Sequence, residues 1–373
     1  MSTVPVAVPF GDMKARVASL RVEIDAAVAR VLDSGWFILG PEGEAFEREL
    51  AAALGAADAV GVANGTDAIE LALHDLGVGR GDEVVTSPLT AAFTALAIAR
   101  TGARPVFADL DPRTLNVAPE AVARVVTKHT KALLPVHLYG HPFDLDPLRA
   151  IADAHGITLV EDACQAVGAR YKGRSVGSIT GLGALSFYPT KNLGAFGDGG
   201  AILVNDPARA ARLRRQRNGG QSDRYRHEVP GVNSRLDEMQ AALLRIGLAH
   251  LPEWTARRRQ IAALYLRELA GAGVGLPQEQ PYAEAVYHLF VIRHPRRDAL
   301  MAALKERGIG TLIHYPIPLH LQPAFPESGR PGDFPEAERA AGEILSLPIY
   351  PEMTDAQVRT VASAVRESVA SLG

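Results

Sequence analysis

SFYPTKNLGAFGDGGAILVN, residues 186–205, joins two apolar runs through a Gly-rich polar loop that carries one lysine, Lys191. The run before it, ALSFY (184–188), and the run after it, GAILVN (200–205), are short and rich in branched residues, as buried strands are. On the N-terminal side the same rhythm recurs. AVGVA (59–63), EVVTS (83–87), PVFAD (105–109), KALLPVH (131–137) and ITLVED (157–162) read as strands. Between most of them lie helical patterns such as TDAIELALHDLG and TAAFTALAIARTG, each closed by a glycine. Apolar strands without polar alternation call for a sheet covered on both faces, so the expected class is α/β with a mostly parallel, mixed sheet. Residues 20–34 and 41–54 read as N-terminal helices, with SGWFILGPEG between them. A long helical pattern from about 235 to 270, broken or kinked near Pro252, leads to strand–helix–strand: YHLFVIR (287–293), RDALMAALKERG (297–308) and GTLIHYP (310–316). Two closing helices follow. The expected division is a large domain over 1–245 and a smaller α/β domain over 246–373.

The chain has 373 residues, 47% of them hydrophobic and 22% charged, which suits a water-soluble protein with two cores. A net charge of −3 gives no footprint for nucleic acid or an anionic membrane. One cysteine excludes an internal disulfide framework and fits a reducing cytoplasm. The N-terminus, with Asp12 and Lys14, does not read as a secretory signal, and no run is long enough to span a bilayer.

In open α/β sheets ligands gather beyond the carboxyl ends of the strands, and four polar elements fall there. Asn64-Gly65-Thr66 stands between a strand and a helix; it suits a phosphate on the helix N-terminus, or a plain cap made by Thr66 or Asp67. Glu161-Asp162-Ala163-Cys164-Gln165 ends a strand; alternation turns Glu161 to the opposite face and leaves Asp162 toward the site, with Gln165 close by. Ser186 and Lys191 bracket the Gly-rich loop. Asn233 lies in VPGVNSRLDEMQAA (229–242), a polar loop before a helix. An amine on such a loop facing a strand-end carboxylate is what pyridoxal phosphate chemistry needs: the amine forms the imine, and the acid keeps the pyridine nitrogen protonated.

NGTDA, the 83–98 region, VEDACQAVGARYKG, SFYPTKNLGAFGDGG and GVNSRLDEMQAA occur in the order and at the spacing of the DegT/StrS-type sugar aminotransferases, which this chain resembles over nearly its whole length. The resemblance implies the aspartate aminotransferase fold (fold type I) and pyridoxal 5'-phosphate, cycling with its amine form, as cofactor. It makes Lys191 the Schiff-base lysine and Asp162 the partner of the pyridine nitrogen. Gln165 is similar to the residue beside the ring hydroxyl. Gly65, Thr66 and Ser186 look like phosphate ligands, and Asn233 resembles the residue delivered by the second subunit of a homodimer. One departure stands out. Where many members carry a ring-stacking aromatic this chain has Ala91, and Phe93 two positions on either stacks on the cofactor or belongs to the core.

The implied reaction moves an amino group from L-glutamate to a nucleotide-linked keto sugar. The stretch GIGTLIHYPIPLHLQPAF (308–325) resembles members acting on dTDP-3-keto-6-deoxyhexoses, and makes His314, Tyr315 and His320 candidates for the sugar side. Trp36 and Phe37 either cover the substrate or staple the N-terminal helices to the core; Tyr188, Tyr225 and His227 are further candidates. RLRRQR (212–217) and RRR (257–259) read as solvated helix faces rather than a pyrophosphate site. A carbon-4 aminotransferase on a dTDP- or UDP-linked sugar and an idle, regulatory family member are the alternatives. Relatives that remove a sugar hydroxyl carry His where Lys191 stands, and Cys164 reads as a small buried thiol rather than a desulfurase nucleophile. No metal is called for.

Overall fold

The computed structural model describes residues 8–372. Three helices, α1 (Met13–Ser19), α2 (Arg21–Ser34) and α3 (Pro41–Leu54), precede the first strand, β1 (Asp58–Val62). There follow α4 (Gly65–Asp75), β2 (Glu83–Thr86), α5 (Ala92–Arg100), β3 (Arg104–Phe107), α6 (Pro119–Val125), β4 (Thr130–Leu133) and α7 (Leu145–His155). The expected strand 157–162 is split at Val160 into β5 (Thr158–Leu159) and β6 (Glu161–Asp162). A small ribbon, β7 (Arg170–Tyr171) and β8 (Arg174–Ser175), leads to β9 (Leu182–Ser186) and β10 (Gly200–Val204).

Apart from the antiparallel β7–β8 ribbon, these strands form two four-stranded sheets, ordered β1-β10-β9-β6 and β3-β2-β4-β5. The split strand joins them, because Val136, just beyond β4, bridges to Asp162 in parallel. All pairings are parallel except those of β10, which runs antiparallel to both β1 and β9. The reason lies in the connection. A parallel return needs a crossover element, and the Lys191 loop between β9 and β10 contains no helix, so the chain turns back on itself. The mixed, mostly parallel sheet read from the sequence is what folds, with apolar clusters on both faces.

After α8 (Pro207–Gln216) and the hairpin β11 (Gln221–Asp223) and β12 (Arg226–His227), α9 (Glu238–Glu268) continues as one helix through Pro252, so the chain does not break there. Its first half packs on the sheet through Ala241, Leu244, Leu248 and Leu251. Its second half carries Ile261, Leu264 and Tyr265 into a separate core. That second core is built on β14 (Phe290–Arg293) and β15 (Ile344–Leu347), which follow the short β13 (Ala283–Glu284), with α10 (Arg297–Glu306), α11 (Pro335–Glu343) and α12 (Asp355–Leu372) around them. Val8 bridges to Ile309 and packs in this core too, although it precedes residue 245. The strand expected over GTLIHYP does not form; only Leu312 bridges, to Ser346 of β15. Among the described residues no helix is long and apolar enough to cross a membrane.

Candidate active site

Asp162 ends β6 at the sheet's carboxyl edge, 2% exposed. Its Oδ2 accepts from Thr94 Oγ1 of α5 at 2.8 Å, and its Oδ1 accepts from Cys164 N at 3.1 Å. Glu161, one residue earlier, points the other way. Its carboxylate accepts from Gly177 N (2.6 Å) and Thr180 N (2.8 Å) and lies 3.1 Å from His137 Nε2. Burial pushes Glu161 up, but His137 and these amides outweigh it and hold the carboxyl low. The alternation argument therefore separates the two acids as expected: one locks the strand, and the other faces the loop.

Lys191 sits on that loop, fixed by its own N–H to Tyr188 O at 2.8 Å. Burial pulls its amine below the ordinary lysine value, with Cys164 and Asp162 opposing that shift. A lysine so depressed has more of the neutral, nucleophilic form near neutral pH than a solvated one. Burial, helped by Asp162, pushes the Cys164 thiol well up, so it stays protonated.

The phosphate end is marked by space. α4 is capped by Asn64, whose side chain accepts from Asp67 N at 2.9 Å. The cap is therefore neither Thr66 nor Asp67, and the Thr66 hydroxyl is not consumed by it. A Cβ on Gly65 would lie 2.7 Å from Ser186 Cβ and 3.0 Å from Cys164 Sγ. Only glycine lets the helix N-terminus approach Ser186 this closely. A helix N-terminus, a hydroxyl, a half-buried lysine amine and a buried carboxylate fit pyridoxal phosphate in donor chemistry and in order.

Gln165 is held at both ends. Its Oε1 accepts from Tyr139 N at 2.9 Å, and its Nε2 donates to Tyr315 OH at 3.2 Å. Tyr139 adopts φ 57°, a left-handed conformation, and its hydroxyl donates to His314 O. His314 Nδ1 lies 2.8 Å from Ser346 Oγ, and its ring stacks on Phe10. Burial, then the charge of Lys191, lowers His314 to about 4. Tyr315 is pushed up by burial. Thus Lys191, Asp162, Gln165, Ser186, Gly65, Thr66, His314 and Tyr315 converge.

Other candidates are placed elsewhere. His320 is buried against Glu338 (3.1 Å) and Phe334, so it holds its own loop rather than facing a ligand. Phe93 is 62% exposed, which rules out the core reading. Trp36 and Phe37 also face outward; Trp36 Nε1 donates to Ile38 O within the loop, so neither staples a core within this chain. Asn233 is exposed, Tyr188 is exposed beside the Lys191 loop, Tyr225 lies at the tip of the β11–β12 hairpin, and His227 bonds to Gly219 O. The basic runs are solvated only in part: Arg212 is exposed and Arg215 and Arg259 half-exposed, while others turn inward. Arg214 pairs with Glu47 and Asp58, and Arg217 pairs with Glu47 in the interior. Arg258, buried on the carbonyls of Tyr287, His288 and Ile349, is lowered to about 9 by burial and the nearby Arg16. A separate cavity of about 390 Å³ opens beyond Tyr139, among Arg113, Glu279, Tyr287, Arg293 and Glu343; neither Lys191 nor Asp162 lines it.

Thr94, Tyr139, Ser346 and His288 escaped the sequence reading. Thr94 belongs to an ordinary helical pattern, Tyr139 is set by a left-handed turn after β4, and Ser346 and His288 reach the site only through the second core.

Residues 18–366 match the model of the DegT/DnrJ/EryC1/StrS aminotransferase family. The chain belongs to that family. A Streptomyces venezuelae protein named dTDP-3-amino-3,4,6-trideoxy-alpha-D-glucose transaminase is 53% identical over 362 residues, 96% of each chain. The erythromycin biosynthesis sensory transduction protein EryC1 of Saccharopolyspora erythraea is 52% identical over 349 residues, 93% of this chain and 95% of its own. The crystal structure of S. venezuelae DesV in complex with a ketimine intermediate superposes with a TM-score of 0.96 at 52% identity, covering 98% of this chain and 99% of that one. As in its family, the enzyme is a pyridoxal phosphate-dependent aminotransferase.

Proposed function

We propose that this aminotransferase moves an amino group from L-glutamate to carbon 3 of a dTDP-linked 3-keto-6-deoxyhexose. The observation that carries the reading is a half-buried Lys191, its amine pulled below the ordinary lysine value with Asp162 opposing the shift, beside a buried Asp162 carboxylate, in a chain 53% identical to a transaminase named for a dTDP-3-amino sugar.

When bound, pyridoxal phosphate supplies an electron sink for the carbanion that forms at the carbon carrying the amino group. The rest falls to this chain's residues. Gly65 and Thr66 N–H groups, with the Ser186 hydroxyl, would hold the phosphate. Asp162, oriented by Thr94 and Cys164 N, keeps a proton on the pyridine nitrogen through a charge-assisted hydrogen bond. Gln165, held by Tyr139 N and Tyr315 OH, would stand beside the ring hydroxyl. Lys191 would take the proton from the substrate carbon that carries the amino group, as a positioned base, and give it back as an acid.

His314, with Nδ1 engaged by Ser346 and its ring held uncharged, turns its remaining nitrogen toward the sugar; Tyr315 bounds the same side. In this reading the enzyme is a cytoplasmic homodimer. Asn233 reaches the partner's phosphate site from an exposed loop, and Trp36, Phe37, Tyr188 and Phe93 are covered by, or line, the shared cleft. Residues 1–245 act as the cofactor-binding unit and 246–373 as the smaller one.

The test is an assay of L-glutamate with a panel of dTDP- and UDP-linked 3-keto and 4-keto sugars, locating the new amine by NMR. A product aminated at carbon 4 alone would overturn the regiochemistry. Lys191→Ala should show no turnover, and retained turnover would overturn the mechanism.

A further inference from the structure

β15 brings a hydroxyl to the back of His314. Ser346 is fully buried, and its backbone is bonded twice to the segment before the histidine: Leu312 N donates to Ser346 O at 3.3 Å, and Ser346 N donates to Leu312 O at 2.8 Å. This pairing sets Ser346 Oγ 2.8 Å from His314 Nδ1. Phe10 stacks on the ring with centroids 5.6 Å apart, and Tyr139 OH donates to His314 O, so ring and backbone are both held. The ring as a whole is only half-buried, and its other nitrogen, Nε2, is not shut away from solvent.

The hydrogens available decide which nitrogen carries the ring proton. Burial, then the charge of Lys191, keeps His314 uncharged near neutral pH, which leaves one proton for two nitrogens. The Ser346 hydroxyl carries one hydrogen, and among the described residues His314 Nδ1 is the acceptor within its reach. Were Nδ1 protonated, it would donate to Oγ, and the serine hydrogen would be left without an acceptor in a place closed to water. With the hydroxyl donating to a bare Nδ1, no hydrogen is stranded. The ring proton then stands on Nε2.

We infer that Ser346 is a positioning residue that fixes His314 as the Nε2–H tautomer, so that His314 meets the bound sugar as a hydrogen-bond donor to one of its oxygens. Gln165 Nε2 donates to the hydroxyl of Tyr315, the next residue, at 3.2 Å, which ties this donor to the segment that follows Asp162. A site built around a donor accepts a sugar that presents an oxygen there and disfavours one that presents none, because the N–H is then left unpaired. The inference rests on the keto-sugar reading of the site and adds to it the direction of the bond.

The experiment labels the histidine rings of the full-length apo protein with nitrogen-15 and compares wild type, Ser346→Ala and Ser346→Cys by NMR; His314→Gln identifies the His314 signals by their loss. Near neutral pH the wild-type ring should show a one-bond N–H coupling at Nε2 and a bare Nδ1. Ser346→Ala should let the two tautomers mix, raise KM for the aminated keto sugar about fivefold, the weight of one hydrogen bond, and leave KM for L-glutamate within about twofold. Ser346→Cys, a weaker donor, should fall between the two. Should Ser346→Ala not fold, the wild-type spectrum and Ser346→Cys decide. A wild type that aminates no keto sugar would remove the functional reading and the sugar contact with it, while the apo spectrum would still report the tautomer. A wild type that does aminate one, with the His314 proton on Nδ1, or with Ser346→Ala leaving tautomer or sugar KM unchanged, would overturn this inference alone.

Discussion

At position 65 the absence of a side chain is the feature that matters. Ser186 Cβ and Cys164 Sγ stand where a methyl group would go, so Gly65→Ala must push the start of α4 away from the Ser186 hydroxyl. The helix itself should survive, because Asn64 still caps it and alanine is a better helix former than glycine. The expected outcome is a chain that still folds without cofactor, at a lower thermal midpoint, and whose affinity for pyridoxal phosphate falls by about tenfold or more, the weight of one or two lost phosphate hydrogen bonds. Equilibrium titration of the imine band measures it. The sequence made Gly65, Ser186, Asp162 and Lys191 legible because each sits at a strand end, where alternation and turn chemistry say which way a residue points. It could not make Thr94 legible. Its hydroxyl meets Asp162 only after α5 has been laid across the sheet, a contact spanning 68 positions.

At the scale of elements, α9 does more than link two cores. Glu238, in its first turn, sends a buried carboxylate across to the start of α3, accepting from Gly40 N (2.9 Å), Glu42 N (2.7 Å) and Gly43 N (3.0 Å). These are orphan N–H groups of a helix N-terminus, satisfied by an acid from another helix with the macrodipole in its favour. A Cβ on Gly40 or Gly43 would strike this carboxylate at 2.8 Å, which explains both glycines of LGPEG. The same junction ties the Trp36–Phe37 loop to the Asn233 loop, since Glu238 N donates to Phe37 O and Ile38 bridges to Asp237. Glu238→Gln should cost about 1–3 kcal/mol, as one amide oxygen replaces two charged acceptors and the buried NH2 gains no acceptor. Chemical denaturation of the apo protein reads it. In the sequence, LDEMQAA looked like any capped helix; its service to α3 depends on a contact between residues about 200 positions apart.

Across the whole molecule, the second core is fastened to the site by a few long-range bonds. Asp109 caps α11 through Glu336 N and Ala337 N, both at 3.0 Å. Leu319 N donates to Pro88 O at 2.7 Å, and the Gln165–Tyr315 and Tyr139–His314 bonds complete the seam. That seam buries His314 and gives it an acid liability. The folded chain holds it at about 4 against an ordinary 6.5. Between those values the unfolded state binds the extra proton, so stability is fully present above about pH 6.5 and falls as pH drops toward 4. His288, depressed in the same direction, adds to the slope. Free energies of apo-protein denaturation at several pH values in this window should show a shallower decline for His314→Gln than for wild type. Equal slopes would mean that His314 is not held neutral.

The mixed α/β sheet, the helices at 21–34 and 41–54, and the facing of Glu161 and Asp162 followed from the sequence alone, because each depends on periodicity or on a neighbour within a few residues. The tertiary structure alone decided that β10 runs antiparallel, that α9 passes Pro252 as one helix, that the strand beside Phe290–Arg293 is Ile344–Leu347 instead of GTLIHYP, and that Arg217 and Arg258 turn inward as an ion pair and a carbonyl clamp. In these cases local pattern is compatible with more than one outcome. The choice is made by which distant groups must be satisfied once water is excluded.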